Sequence, residues 1–264
     1  MDTRTPLTVG VLQTPASDDT PDERFAVLAT AFDKAAARQC DLLICPELFL
    51  SGYFAGERLA AVAEPQDGPF ARRVLALAAH HGCAIVYGYP ERAPDGLYNA
   101  ALCAGPDGRV LANHRKALLP HEYEEQHFRC GTEPTAFSLA GWRIGLVICY
   151  ELEMPEPARL HARAGCDLIV APTALTAEWS VVARKVVPAR AFENTVFVAY
   201  TNHAGHEGGC QYLGESVIVS PYGEDLARAG SNAGLITATL EPDTLIAARS
   251  RLHSLRDAGA PPYG

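Results

Sequence analysis

The feature that most restricts the fold of this chain is a recurring short apolar run that ends in a polar residue or a turn. Leu7 to Gln13, Asp41 to Cys45, Ala84 to Tyr89, Leu168 to Pro172, Phe197 to Asn202 and Leu235 to Leu240 all have this form. Runs of this length and character read as buried strands. Helix-period segments lie between several of them. In Asp22–Gln39 the residues Phe25, Leu28, Ala29, Phe32 and Ala36 fall on one face. In Pro69–His81 the inward set is Val74, Leu75, Leu77 and Ala78. Pro155–Ala164 and Ser180–Glu193 also read as helical, the latter despite Pro188. Tyr98–Ala104 and Arg109–Arg115 flank Gly105-Pro106-Asp107-Gly108 and predict a hairpin. Thr135–Leu139 and Trp142–Ile148 flank Ala140-Gly141 and predict another, and Glu215–Ser220 is a further strand. Alternating strands and helices give an α/β domain with helices on both sheet faces.

Composition narrows the class. Of 264 residues, 48% are hydrophobic and 20% charged, enough for one large core and too apolar for a disordered chain. The net charge is −9, and no basic run exceeds Arg72-Arg73, which argues against nucleic-acid binding. Met1 to Pro6 lacks an apolar stretch of signal-peptide length, and no run approaches the ~18 residues of a membrane span, so the expectation is a soluble, cytoplasmic protein with no membrane partner. The eight cysteines form no CxxC pair, and His203 and His206 show no HExxH-like spacing; no metal site is expected.

Three segments carry chemistry. Ile144-Gly145-Leu146-Val147-Ile148-Cys149 delivers a thiol from an apolar strand just before a helix, where a nucleophile is exposed on a sharp turn and negative charge is favoured. Leu42-Leu43-Ile44-Cys45-Pro46-Glu47 delivers a carboxylate walled by Leu48 and Phe49, whose lost hydration raises its proton affinity toward that of a general base. Asn113-His114-Arg115-Lys116 brings an ammonium to a strand end, where it can hold a thiolate ionised and stabilise an oxyanion.

Taken together, Pro46-Glu47-Leu48-Phe49, Arg115-Lys116 and Ile148-Cys149-Tyr150-Glu151 resemble the motif blocks of the nitrilase superfamily, the carbon–nitrogen hydrolases. The resemblance runs through nearly the whole chain. It continues in Arg190-Ala191-Phe192-Glu193-Asn194, Tyr200-Thr201-Asn202, Gly214-Glu215-Ser216 and Ser220-Pro221-Tyr222-Gly223. It implies a four-layer α-β-β-α sandwich as a single domain over 1–264, with a core of about 6–250 and a Gly/Pro-rich tail at 257–264.

The resemblance implies Glu47 as general base, Cys149 as nucleophile forming a thioester, and Lys116 with the Tyr150 N–H stabilising the tetrahedral intermediate. A second glutamate is expected between Lys116 and Cys149. Glu122, Glu124 and Glu125 compete, and Glu124 best matches the spacing to Phe128 and Gly131. Tyr53, Tyr150, Glu151 and Trp179 are the candidate substrate-binding residues; Glu151 stands where many relatives carry Asp. No metal or organic cofactor is implied, and a homodimer or higher homo-oligomer is. The expected activity is that of a small bacterial aliphatic amidase, converting a small carboxamide to acid and ammonia. An excess of acid around the site (Glu124, Glu125, Glu151, Glu153, Glu207) suggests a cationic amino or guanidino tail on the substrate. The alternatives are an ω-amidase, an N-carbamoyl amide hydrolase, a nitrilase, a metal-dependent hydrolase, or a fold relative that only binds.

Overall fold

The computed structural model describes residues 4–16 and 19–258. In chain order the elements are β1 (Leu7–Gln13), α1 (Pro21–Ala37), β2 (Leu42–Ile44), α2 (Leu59–Val62), α3 (Pro69–His81), β3 (Ala84–Ala93), β4 (Gly96–Ala104), β5 (Val110–Arg115), α4 (Glu122–His127), β6 (Thr135–Leu139) and β7 (Trp142–Leu146). They continue as α5 (Tyr150–Glu153), α6 (Pro155–Arg163), β8 (Leu168–Pro172), α7 (Val187–Asn194), β9 (Phe197–Thr201), β10 (His206–Glu207), β11 (Cys210–Gln211), β12 (Val217–Val219), β13 (Asp225–Arg228), β14 (Gly234–Leu240), α8 (Pro242–Arg251) and α9 (Ser254–Asp257).

Two six-stranded mixed sheets form, in the orders β14-β1-β2-β3-β4-β5 and β13-β12-β9-β8-β7-β6. Each has a parallel trio, β1-β2-β3 in one and β7-β8-β9 in the other, with antiparallel strands outside it. Side chains alternate across each sheet, so one strand feeds two cores. Leu42 and Ile44, with Val86 beside them, face the other sheet, where they share a core with Ile144, Leu146, Val170 and Ala199, while Leu43 and Ile85 face α1 and α3 through Leu28, Phe32, Phe70 and Val74. On the far side Ile169, Val198 and Val217 pack on α6 and α7 through Ala158, Ala162, Val187 and Ala191. The layers are therefore α-β-β-α, the nitrilase-like sandwich anticipated above. A parallel strand buried on both faces must be apolar throughout, which is why β2, β8 and β9 were legible as plain runs.

Departures from expectation have local causes. The predicted strand 142–148 ends at Leu146, because the chain turns out of the sheet to present Cys149. The segment read as one helix over 180–193 is a π-helical turn, Val182–Val186, followed by α7. Pro188 sits in the first turn of α7, where its missing N–H costs little. α8 was not anticipated: it buries only Leu245 and Ala248 and so lacks a strong apolar stripe. The expected tail at 257–264 overlaps α9 at its start, and residues 259–264 lie outside the described part.

Candidate active site

Two tight turns set up the site. Glu47 follows β2, and the next residue, Leu48, has φ 47°; Cys149 itself has φ 49° and ψ −107°. Non-glycine residues held in such regions cost about 1–3 kcal/mol each and persist only where the surroundings impose them. The Cys149 turn is pinned by its own N–H, which donates to the Pro172 carbonyl at 2.9 Å, and by Val147 N–H on Val170 at 3.1 Å. The Glu47 turn lies against Gly88 of β3, where a Cβ would stand 2.3 Å from the Leu48 nitrogen; glycine is the residue that permits this approach.

Lys116 sits just past β5, wholly buried, between two carboxylates. Its Nζ donates to Glu47 Oε1 at 2.8 Å and to Glu124 Oε1 at 2.5 Å. Asn99 Nδ2 donates to Glu47 Oε1 at 2.7 Å and to Glu124 Oε2 at 3.4 Å. The Tyr53 hydroxyl donates to Glu124 Oε1 at 2.5 Å, and His203 Nε2 donates to the Glu47 carbonyl at 2.7 Å. Glu47 Oε2 is left buried with no hydrogen bond among the described residues. One ammonium thus serves two carboxylates in a dry site. Burial raises the Glu47 pKa, and the Glu124 charge adds to that, against the lowering by Lys116. Burial acts to neutralise Lys116, but Glu47 and Glu124 outweigh it and hold the ammonium charged. The Cys149 thiol is pushed well up by burial and by the Glu47 charge, while Lys116 and the Ala174 N–H favour the thiolate. A carboxyl of raised proton affinity beside a protonated thiol is the arrangement for general base catalysis of thiol attack.

The three expected glutamates separate by burial. Glu124 is fully buried on α4, whereas Glu122 and Glu125 are exposed. Glu151, expected to bind substrate, is instead a strap between two strand ends. Its Oε2 accepts from Ile148 N–H at 2.6 Å and from His114 Nε2 at 2.9 Å, and its Oε1 accepts from Ala117 N–H at 2.9 Å. Burial opposes ionisation of Glu151, yet His114 and these N–H groups hold its pKa below the usual glutamate value. Both oxygens are committed to protein donors. Glu207 is tied through one oxygen: its Oε2 accepts from Tyr53 N–H at 3.1 Å and from the Tyr212 hydroxyl at 2.8 Å, while its Oε1 has no hydrogen bond among the described residues.

A cleft of about 480 Å³ opens above Cys149, within the range of small-molecule sites. Tyr53, Tyr150 and Trp179 line it as expected positions would, Trp179 at the rim with 58% of its surface exposed. Glu153, one of the acids expected around the site, also lines it, as do His121, Ala174, Glu178 and Cys210, which the sequence reading did not mark. Among the described residues no group of three or more His, Cys, Asp or Glu side chains is arranged to hold a metal.

The sequence matches the carbon-nitrogen hydrolase family model over residues 8–250. The chain belongs to the carbon-nitrogen hydrolase family. As such it is a nitrilase-superfamily enzyme acting on non-peptide C–N bonds. Among relatives of this carbon-nitrogen hydrolase, a protein described as the hydrolase in the pqqF 5' region of Pseudomonas protegens is 43% identical, covering 84% of this chain and 79% of that one. An (R)-stereoselective amidase of a Pseudomonas species is 33% identical over 84% of this chain and 80% of its own. The structure resembles a cysteine-to-alanine variant of the amidase from Nesterenkonia sp. AN1 in complex with butyramide, with TM-score 0.83, 33% identity, and 94% and 95% of the two chains covered. The hydrolase site contains one residue that a closer reading of the sequence exposes. Asn99 is the polar interruption in Tyr98-Asn99-Ala100-Ala101-Leu102, and a buried amide in an apolar strand needs partners. Ala174 and Cys210 left no such signal, since loops bring them to the cleft.

Proposed function

We propose that the chain hydrolyses a small aliphatic carboxamide, carrying a cationic amino or guanidino tail, to the carboxylic acid and ammonia through a cysteine thioester. The observation that carries the reaction is the Glu47 carboxylate. Oε1 is held by Lys116 and Asn99, and Oε2 is free to take a proton. Cys149 Sγ attacks the carbonyl carbon while its proton passes to Glu47 Oε2. The oxyanion of the tetrahedral adduct is stabilised by Lys116 Nζ and by the N–H of Tyr150, which as the first residue of α5 has no helical acceptor. The C–N bond breaks as Glu47 returns the proton to nitrogen, and ammonia leaves. Water then attacks the thioester carbonyl and gives its proton to Glu47. The C–S bond breaks, and the sulfur recovers that proton. Glu124 touches Lys116 and, through Asn99 and Tyr53, fixes the ammonium that meets the oxyanion.

The butyramide complex of the Nesterenkonia amidase supports a short aliphatic acyl group. The tail charge is supported by the cleft itself, whose lining holds Glu153 and Glu178 and no Arg or Lys. An ω-amide of a dicarboxylic acid carries a carboxylate that would find no cation there, which disfavours the ω-amidase reading. Leu160, Trp179, Val181 and Phe192 are exposed on the α6–α7 side and support pairing of two copies through that face. The decisive experiment is ammonia release from a panel of amides, nitriles and N-carbamoyl compounds, with Cys149→Ala as control. The expected result is acid and ammonia in equal amounts from amides, an acyl adduct on Cys149 by mass spectrometry, and no turnover by the variant. Faster turnover of a nitrile than of its amide would replace the amidase reading, and no release from any compound would leave a binding protein.

A further inference from the structure

We infer that Glu153 is the specificity-determining residue of the cleft, and that it binds an ammonium group carried close to the scissile carbonyl on the acyl chain. This rests on the amidase reading above and names the residue and the reach behind its cationic tail. Cys149 caps α5 and Glu153 is its last residue. The Leu152 N–H donates to the Cys149 carbonyl at 2.9 Å, so the segment is one turn of helix. Glu153 thus lies one turn of chain beyond the nucleophile. Both side chains line the same cleft.

Glu153 differs from the buried carboxylates of the site. Glu47, Glu124, Glu151 and Glu207 are each hydrogen-bonded to protein groups. The Glu153 side chain is half-buried and has no hydrogen-bond or ion-pair partner among the described residues. Arg190, which reaches the backbone of Glu153, is committed elsewhere. Its Nε donates to the Leu152 carbonyl at 3.0 Å, Nη2 to the Glu153 carbonyl at 2.5 Å, and Nη1 to Glu193 Oε1 at 3.0 Å. Arg190 therefore anchors the backbone of α5 and leaves the carboxylate open to the cleft. Burial raises the Glu153 pKa, against the lowering by Lys116, so a cation brought alongside restores what lost hydration took away. At the mouth Glu178 accepts from Thr176 Oγ1 at 3.2 Å and adds negative potential. One helical turn sets the reach: the ammonium belongs roughly one to three carbons from the carbonyl.

The test is a matched set of three amides of equal chain length: β-alaninamide with an ammonium end, butyramide with a methyl end, and succinamate with a carboxylate end. The parent enzyme is expected to favour β-alaninamide over butyramide at least tenfold in kcat/KM. Glu153→Gln should lower that ratio at least tenfold, and Glu153→Arg should turn preference toward succinamate. The ratio does not depend on how much of a variant is folded. Calorimetric titration of the same amides into Cys149→Ala, with and without Glu153→Gln, reads recognition without turnover. A ratio unmoved by Glu153→Gln overturns the assignment. So does an equal fall for both amides, which would place the carboxylate on the amide group common to all. If no ammonia appears from any amide while Cys149→Ala still binds β-alaninamide in preference, the amidase reading fails and the assignment of Glu153 stands.

Discussion

Glu47 divides its work between two oxygens, and substitution can separate them. In Glu47→Gln the retained oxygen can still accept from Lys116 and Asn99, while an NH2 group that accepts no proton takes the place of Oε2. The expected outcome is a fall of about 10²–10⁴ in kcat with the fold retained, the range of a lost general base. Lys116→Met should behave differently. It leaves Glu47 and Glu124 facing each other in a dry site, and breaking such a buried pair costs about 3–5 kcal/mol. Steady-state kinetics and urea unfolding of both variants check the pair of outcomes. Equal destabilisation by the two would mean that Glu47 acts in folding and not in proton transfer.

At the scale of elements, the site depends on strand ends being tied together from behind. Glu151 ties β5 to β7, and His203, just beyond β9, ties itself to the carbonyl of Glu47. Burial drives the His203 pKa down from 6.5 to about 3, so it donates as a neutral imidazole. The unfolded chain protonates this histidine below about 6.5 and the folded chain does not. Between those values the unfolded state therefore binds more protons, and stability falls as pH falls, by at most about 1.4 kcal/mol per pH unit for one group. His161, also lowered by burial, adds in the same sense. Glu151, whose pKa is depressed, contributes stability that is lost only at lower pH, below the ordinary glutamate range of about 4.5. Unfolding free energies from pH 7 to 5 should thus slope less steeply in His203→Gln, whose amide can still donate to Glu47. An unchanged slope would show that His203 is charged in the folded protein.

For the whole molecule, the open question is what covers the α6–α7 side. Leu160 is 51% exposed, Phe192 44%, Trp179 58% and Val181 53%, large apolar side chains on or near α6 and α7. Light scattering during size-exclusion chromatography is expected to give twice the chain mass. Leu160→Glu combined with Phe192→Glu should return a monomer, because two buried charges at a symmetric contact would be doubled. A monomeric parent protein would leave that face without a second copy.

The order of buried strands and one-striped helices and the three polar strand tips could be read from the chain alone, while the four-layer stacking was implied by the family resemblance. Strands buried on both faces must be continuously apolar, helices must show one stripe, and a Glu, a Lys and a Cys after such runs must emerge at sheet ends. Leu42–Ile44, Leu168–Pro172 and Pro69–His81 could be read directly for that reason. Only the tertiary structure decided which carboxylates are free. Glu151, Glu153 and Glu207 look alike in the chain, but hydrogen-bond partners come from residues far away in sequence, such as His114 and Ala117 for Glu151 and Tyr53 for Glu207. A spent carboxylate and an open one differ in geometry and not in residue type. The same holds for the short α4, where Glu122, Glu124 and Glu125 are interchangeable by composition and one alone points at Lys116.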